Sequence, residues 1–205
     1  MIEALGALAM ATLLLLGSPG PATLSLAAVG ATAGVRKGIP FLAGILAGLL
    51  VCIAAAGYGI AVLFESYPEL AFGVQFIGAI YLSWIAYKIG SAPRLSDTDP
   101  DSSAVLGFRD GFVVNLFNPK AYIAFFALFG QFLLPLESTT AAFLGTGCVC
   151  FGLAMIIDAL WLVAGSGLRS LFSHPRYYRV IRITFALAIV VVTGAAIVSG
   201  VVNQP

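Results

Sequence analysis

The chain is built around long stretches that carry no charge. Residues 4–35, 38–64, 70–87 and 183–205 contain no Asp, Glu, Lys or Arg; 111–136 contain only Lys120, and 138–168 only Asp158. About 20 apolar residues in a helix cross the ~30 Å hydrocarbon of a bilayer. Six stretches of about that length leave little of a 205-residue chain to face water. In lipid every backbone N–H and C=O must be satisfied within the protein, which makes such stretches helices. Composition agrees: 9% of the residues are charged, against roughly 25% in a soluble domain. Net charge is +1, which argues against a nucleic-acid partner. Met1-Ile2-Glu3 lacks the basic start of a secretory signal, so the first stretch is expected to remain as a span.

The charge between the stretches is sorted by sign. Arg36 and Lys37 follow the first; Lys88, Arg94 and Arg109 lie between the third and fourth; Arg169, Arg176, Arg179 and Arg182 lie between the fifth and sixth. The other connections carry Glu65 and Glu69, or Glu137, and no basic residue. Basic loops stay in the cytoplasm, so both termini are expected outside. Tyr81, Trp84, Tyr87 and Lys88 then anchor the third span at the inner interface. The expected fold is an all-α integral membrane protein of six transmembrane helices, residues 1–90 and 108–205 forming two three-helix halves. Residues 91–107 are read as a cytoplasmic linker. Asp97, Asp99 and Asp101 in that linker alternate like the start of a calcium loop, but Ser102 and Phe108 stand where its glycine and glutamate belong.

Each half begins with a span interrupted by proline, at Gly17-Ser18-Pro19-Gly20-Pro21 and at Asn115-Leu116-Phe117-Asn118-Pro119-Lys120. An odd number of spans per half makes the second half an inverted copy of the first. Paired broken helices in inverted repeats are how many secondary transporters build a midplane site. Proline cannot continue a helix but suits its first turn. Ser18-Pro19 and Asn118-Pro119 therefore each place an N-cap residue before a new half-helix. Free N–H groups at those ends suit a carboxylate, and the carbonyls left before each break suit an ammonium. A zwitterionic amino acid carries both. Kinks that merely shape the bundle are the plainer alternative.

Two charges lie within spans. Lys120, in the first turn of a half-helix, opposes the helix dipole. Asp158 is the one acidic residue within a span. Charges at that depth face a cavity or a partner, so the two are expected to approach one another, with Asp158 taking part in ion coupling. A packing ion pair, or a lysine reaching for the interface, are the structural alternatives. Gly44 and Gly48 form a small-xxx-small face for close packing, within the bundle or between two copies as a homodimer. His174 falls in a basic loop. Cys52, Cys148 and Cys150 lie in apolar runs, without the spacing of a zinc or redox pair, so no metal site or cofactor is expected.

Ser18-Pro19-Gly20-Pro21, Arg36-Lys37-Gly38 and Gly111-Phe112-Val113-Val114-Asn115-Leu116-Phe117-Asn118-Pro119-Lys120-Ala121 resemble the LysE/RhtB family of amino-acid exporters. The likeness runs over essentially the whole chain, and the Asn-x-x-Asn-Pro-Lys stretch is its most specific part. It implies export of a small amino acid or derivative across the bacterial inner membrane, driven by a proton or sodium gradient, rather than an enzymatic reaction. It makes Pro19, Gly20, Pro21, Asn115, Asn118, Pro119 and Lys120 the motif positions and does not choose the substrate. Export of another small solute or a metal cation on the same scaffold is the main alternative. A membrane thiol redox carrier is a weaker one, because no cysteine adjoins either break.

Overall fold

A computed structural model describes residues 1–57, 67, 73, 76–77, 80–81, 83–87, 106–167, 180, 183–184, 186–191 and 194. These residues contain helix and no strand. The main segments are α1 (Ile2–Gly17), α2 (Pro21–Gly57), α3 (Phe108–Leu116), α4 (Pro119–Gln131) and α5 (Thr139–Gly167). Residues 80–81, 83–87 and 186–191 are helical within the third and sixth charge-free stretches. Most of the linker, with Asp97, Asp99 and Asp101, lies outside the described residues. So do Glu65, Glu69, Lys88, Arg94, His174, Arg169, Arg176, Arg179 and Arg182.

The 37 residues of α2 would make a straight rod of about 55 Å, far longer than the hydrocarbon is thick. The chain divides it at Gly34, whose φ of 79° and ψ of 171° lie outside any helix. That region is essentially closed to residues with a Cβ. The boundary between the two arms of α2 is therefore this one glycine. Arg36, Lys37 and Gly38, expected as a loop, are helical instead and open the second arm, 35–57. The first arm, 21–33, is the continuation of α1 beyond its break.

The second break is a sharp one: α3 and α4 meet at 59° across Phe117 and Asn118. The second of these, α4, ends at Gln131, five residues before the end of the apolar stretch 111–136. Beyond it the buried backbone N–H of Leu134 donates to Thr146 Oγ1 (3.0 Å) on α5.

Packing joins segments far apart in the chain. The first arm of α2 lies so close to α5 that a Cβ on Gly165 would run into the carbonyl of Ala27, and one on Gly30 into that of Leu162. The second arm lies equally close to α3, where Gly111 meets the carbonyl of Phe41 and Gly44 that of Phe108. Small residues let helix backbones approach in this way. The Gly44/Gly48 face is thus occupied by α3 of the same chain. Tyr81 ties the third stretch to this seam, its hydroxyl donating to Asp110 Oδ1 (3.1 Å). Asp110 Oδ2 in turn accepts the N–H of Gly107 at the start of α3 (2.7 Å).

Two apolar clusters result. One gathers Leu26, Val29, Phe41, Ile45, Val114 and Leu162; the other gathers Leu8, Leu49, Phe125, Leu128, Cys150 and Ala154. Outward from both, Leu13, Leu14, Leu144, Met155, Ile156, Leu160 and Val163 are exposed, as lipid-facing surfaces require. Between the clusters, one turn of α5 from Ala154 and one from Leu162, sits Asp158.

Candidate functional site

The prolines decide which backbone groups are left over at the breaks. In a continuous helix Leu15 and Gly17 would give their carbonyls to the N–H groups of residues 19 and 21, and both are proline. The structure supplies substitutes. Ser18 Oγ donates to the Leu15 carbonyl (3.1 Å), and Trp161 Nε1 donates to the Gly17 carbonyl (3.2 Å) from α5. The Ser18 carbonyl, stranded because the chain turns away, accepts the ammonium of Lys120 from α4. At the second break Pro119 strands the Asn115 carbonyl in the same manner. It receives the N–H of Asn118 (3.1 Å) and the thiol of Cys52 (3.8 Å).

Ser18, expected to cap the new half-helix, does not. It is the C-cap of α1, in extended conformation. Gly20 takes the N-cap position, its carbonyl accepting from Leu24 (2.9 Å), and Pro21 rather than Pro19 occupies the first helical turn. Two residues on, Thr23 Oγ1 accepts the Gly20 N–H (2.8 Å) and donates to its carbonyl (3.1 Å). This is the reciprocal arm of a capping box, readable in principle from a Thr three positions after the cap.

Asn118 does stand at the N-cap of α4 with Pro119 next to it, but its side chain makes no capping bond. Its amide donates to Asn115 Oδ1 (3.3 Å), and Asn115 Nδ2 donates to the Ile45 carbonyl (3.1 Å). Asn118 is 4% exposed and its Oδ1 has no hydrogen-bond partner. A buried acceptor without a partner costs about 1–3 kcal/mol.

These residues share one cavity. Gly20, Thr23, Asn115, Asn118, Lys120 and Asp158 line it, with Leu16, Ala22, Leu49, Ala121 and Ala154 between them; its volume is about 30 Å³. That is room for a water-sized group and too little for an amino acid. Asp158 is 7% exposed. Lys120 and Asp158 face this space and act on each other electrostatically. They are not joined: among the described residues no salt bridge or hydrogen bond reaches Asp158, and the ammonium is held by Ser18 instead. Of the nine residues singled out from sequence, Gly20, Asn115, Asn118, Lys120 and Asp158 line the cavity; Ser18 meets it through Lys120, and Pro19, Pro21 and Pro119 shape the breaks. Sequence reasoning misses Thr23 and Trp161. No group of three His, Cys, Asp or Glu side chains suited to a metal occurs among the described residues.

An apolar bundle with one buried polar layer where two broken helices meet has the construction of a membrane translocator. The chain belongs to the LysE type translocator family, whose model matches residues 13–200. It is 27% identical over 186 residues to the homoserine/homoserine lactone efflux protein of Salmonella typhimurium, covering 89% of each. It is 34% identical over 119 residues to the leucine efflux protein of Klebsiella pneumoniae, 56% of each. It is 25% identical over 182 residues to the cysteine/O-acetylserine efflux protein of Salmonella typhimurium, 87% of this chain and 90% of that one. No solved structure matches it.

Proposed function

We propose that this protein exports a small amino acid or amino-acid derivative across the bacterial cytoplasmic membrane, drawing on an ion gradient through Asp158. The observation that carries the reading is the cavity at the two breaks, where Asn118 Oδ1 is a buried acceptor without a partner and the Asp158 carboxylate accepts no hydrogen bond among the described residues. The cargoes in the relatives' names share one chemical handle. Homoserine, leucine, cysteine and O-acetylserine carry an α-amino group, and so does homoserine lactone, which has no free carboxylate. Acceptors for an ammonium are thus what a common site must offer. Asn118 Oδ1 and the carbonyl of Ser18 provide them, and the breaks at Pro19, Gly20 and Pro21 and at Asn115, Pro119 and Lys120 hold them in place. Asp158 carries the coupling ion, a proton or sodium.

The architecture read for the whole chain is six spans in two inverted three-helix repeats, with both termini outside. The crossed packing supports it: α5 lies against the first broken helix, and the second arm of α2 against the second. A homodimer would have to use a face other than Gly44 and Gly48.

The test is export from bacterial cells fed with dipeptides, comparing the parent, Asp158→Asn and empty cells. The parent should release one amino acid or a small related set, and the variant, though inserted, should not. Near-normal release by Asp158→Asn removes Asp158 from the mechanism. Release no different from empty cells for any amino acid overturns the exporter reading.

A further inference from the structure

The role of Lys120 goes beyond lining the cavity. Its side chain runs from the first turn of α4, along the cavity, to the exposed carbonyl of Ser18 at the end of α1. On the way it lies directly over Gly20: a Cβ there would sit 2.8 Å from Lys120 Cδ and 3.0 Å from Nζ. Glycine leaves the space that the lysine stem fills. The lysine therefore joins the two broken helices across the cavity, and the space behind it holds only a water-sized group.

This placement is not the one its charge prefers, since a cation in the first turn of a helix opposes the dipole. What holds it is one carbonyl, the kind of group that the cargo's ammonium would also seek. Behind it, Asn118 Oδ1 is buried without a partner, and the Asp158 carboxylate is the one acidic group among the described residues that line the cavity. We infer that Lys120 is a bolt across the cargo site, drawn when the ammonium of an amino acid replaces the lysine ammonium on the Ser18 carbonyl. The exchange is like for like: one ammonium leaves the carbonyl and another arrives. The displaced ammonium then has Asp158 as its counter-ion within the same cavity, so admission of cargo and the state of the coupling carboxylate are linked. The inference rests on the exporter reading for the identity of the arriving group, but not for the bolt itself.

The experiment reads access rather than transport. A cysteine placed at Ala154, which is 2% exposed and lines the cavity, is reacted with a small water-soluble methanethiosulfonate in a Cys148→Ala background. Cys52 and Cys150, both at 0% exposure, set the blank in a matched protein without Ala154→Cys. Lys120→Met removes the bolt. Gly20→Ala pushes it aside while keeping the charge, and serves if Lys120→Met does not accumulate. Labelling at least tenfold faster than in the parent is expected in both. Homoserine, leucine or O-acetylserine should accelerate labelling of the parent and leave Lys120→Met unchanged. Unchanged rates in both variants overturn the bolt, as does equal acceleration by amino acid with and without Lys120. Acceleration of the parent by none of the three overturns the exchange. If cells export nothing yet Lys120→Met opens the cavity, the exporter reading falls and the bolt stands.

Discussion

Replacing Thr23 by Val should loosen the first break without altering its shape. Val keeps the branched outline and removes the oxygen that accepts the Gly20 N–H at 2.8 Å. Gly20 is buried, and the helix that begins there has no other donor or acceptor in reach from its own first turn. An orphaned buried N–H costs about 1–3 kcal/mol. In a chain of this length each kcal/mol moves the melting temperature by about 2–4 °C, so the fall should be about 2–12 °C. Thr23→Ser separates the oxygen from the methyl. It keeps the cap and loses one buried carbon, about 0.8 kcal/mol, or about 2–3 °C. The assay is the melting of the purified proteins in a single detergent, followed as the fraction still monodisperse after heating. The order should be parent, then Ser, then Val. Thr23→Val melting at or above Thr23→Ser would refute the cap, because the hydroxyl would then be dispensable and only packing would matter.

Three further outcomes follow from the same geometry. Gly34→Ala should cost about 1–3 kcal/mol, because alanine is forced into a region that is essentially glycine's; an unchanged melting temperature would mean that Gly34 is not the turn. Trp161→Phe should cost about 0.6 kcal/mol and at most about 1.7 kcal/mol, the mean and the maximum for a hydrogen bond between helices in a membrane, by leaving the Gly17 carbonyl without its donor. An unaltered melt would show that another group reaches it. Alkaline phosphatase fused after Glu137 or Pro205 should be active, and fused after Gly107 inactive, if the basic loops are cytoplasmic; the reverse pattern would invert the orientation.

What can be read from the chain alone follows the range of the physics. Proline acts on its own neighbours, so Pro19, Pro21 and Pro119 announce both breaks. The rarity of charge in lipid singles out Lys120 and Asp158, and the two do line the same cavity. The groups that complete the breaks come from distant parts of the chain. Nothing local pairs Trp161 with Gly17, Cys52 with Asn115 or Lys120 with Ser18. The carbonyls expected to await a substrate ammonium are for that reason already claimed by the protein. Ser18 misleads because cap preference describes single positions, whereas the Gly20-Pro21 pair two residues on makes a better start backed by Thr23. The first turn is misplaced because Arg36 and Lys37 locate it by charge alone, while the helix breaks two residues earlier at Gly34 and carries the basic pair into the next arm.

The carbonyls of Gly17 and Ser18 find their donors on Trp161 and Lys120, more than a hundred residues further along. A ribosome delivers the chain in the opposite order. While α1 and α2 are being laid into the membrane, the break between them is unfinished, with two strong acceptors and nothing in lipid to meet them. The early half has to wait in a form that keeps those groups near water or headgroups. Assembly of the second half is then also the step that completes the first. The bonds that close the first break are therefore among the last the chain can make, and a chain truncated before residue 120 lacks both donors.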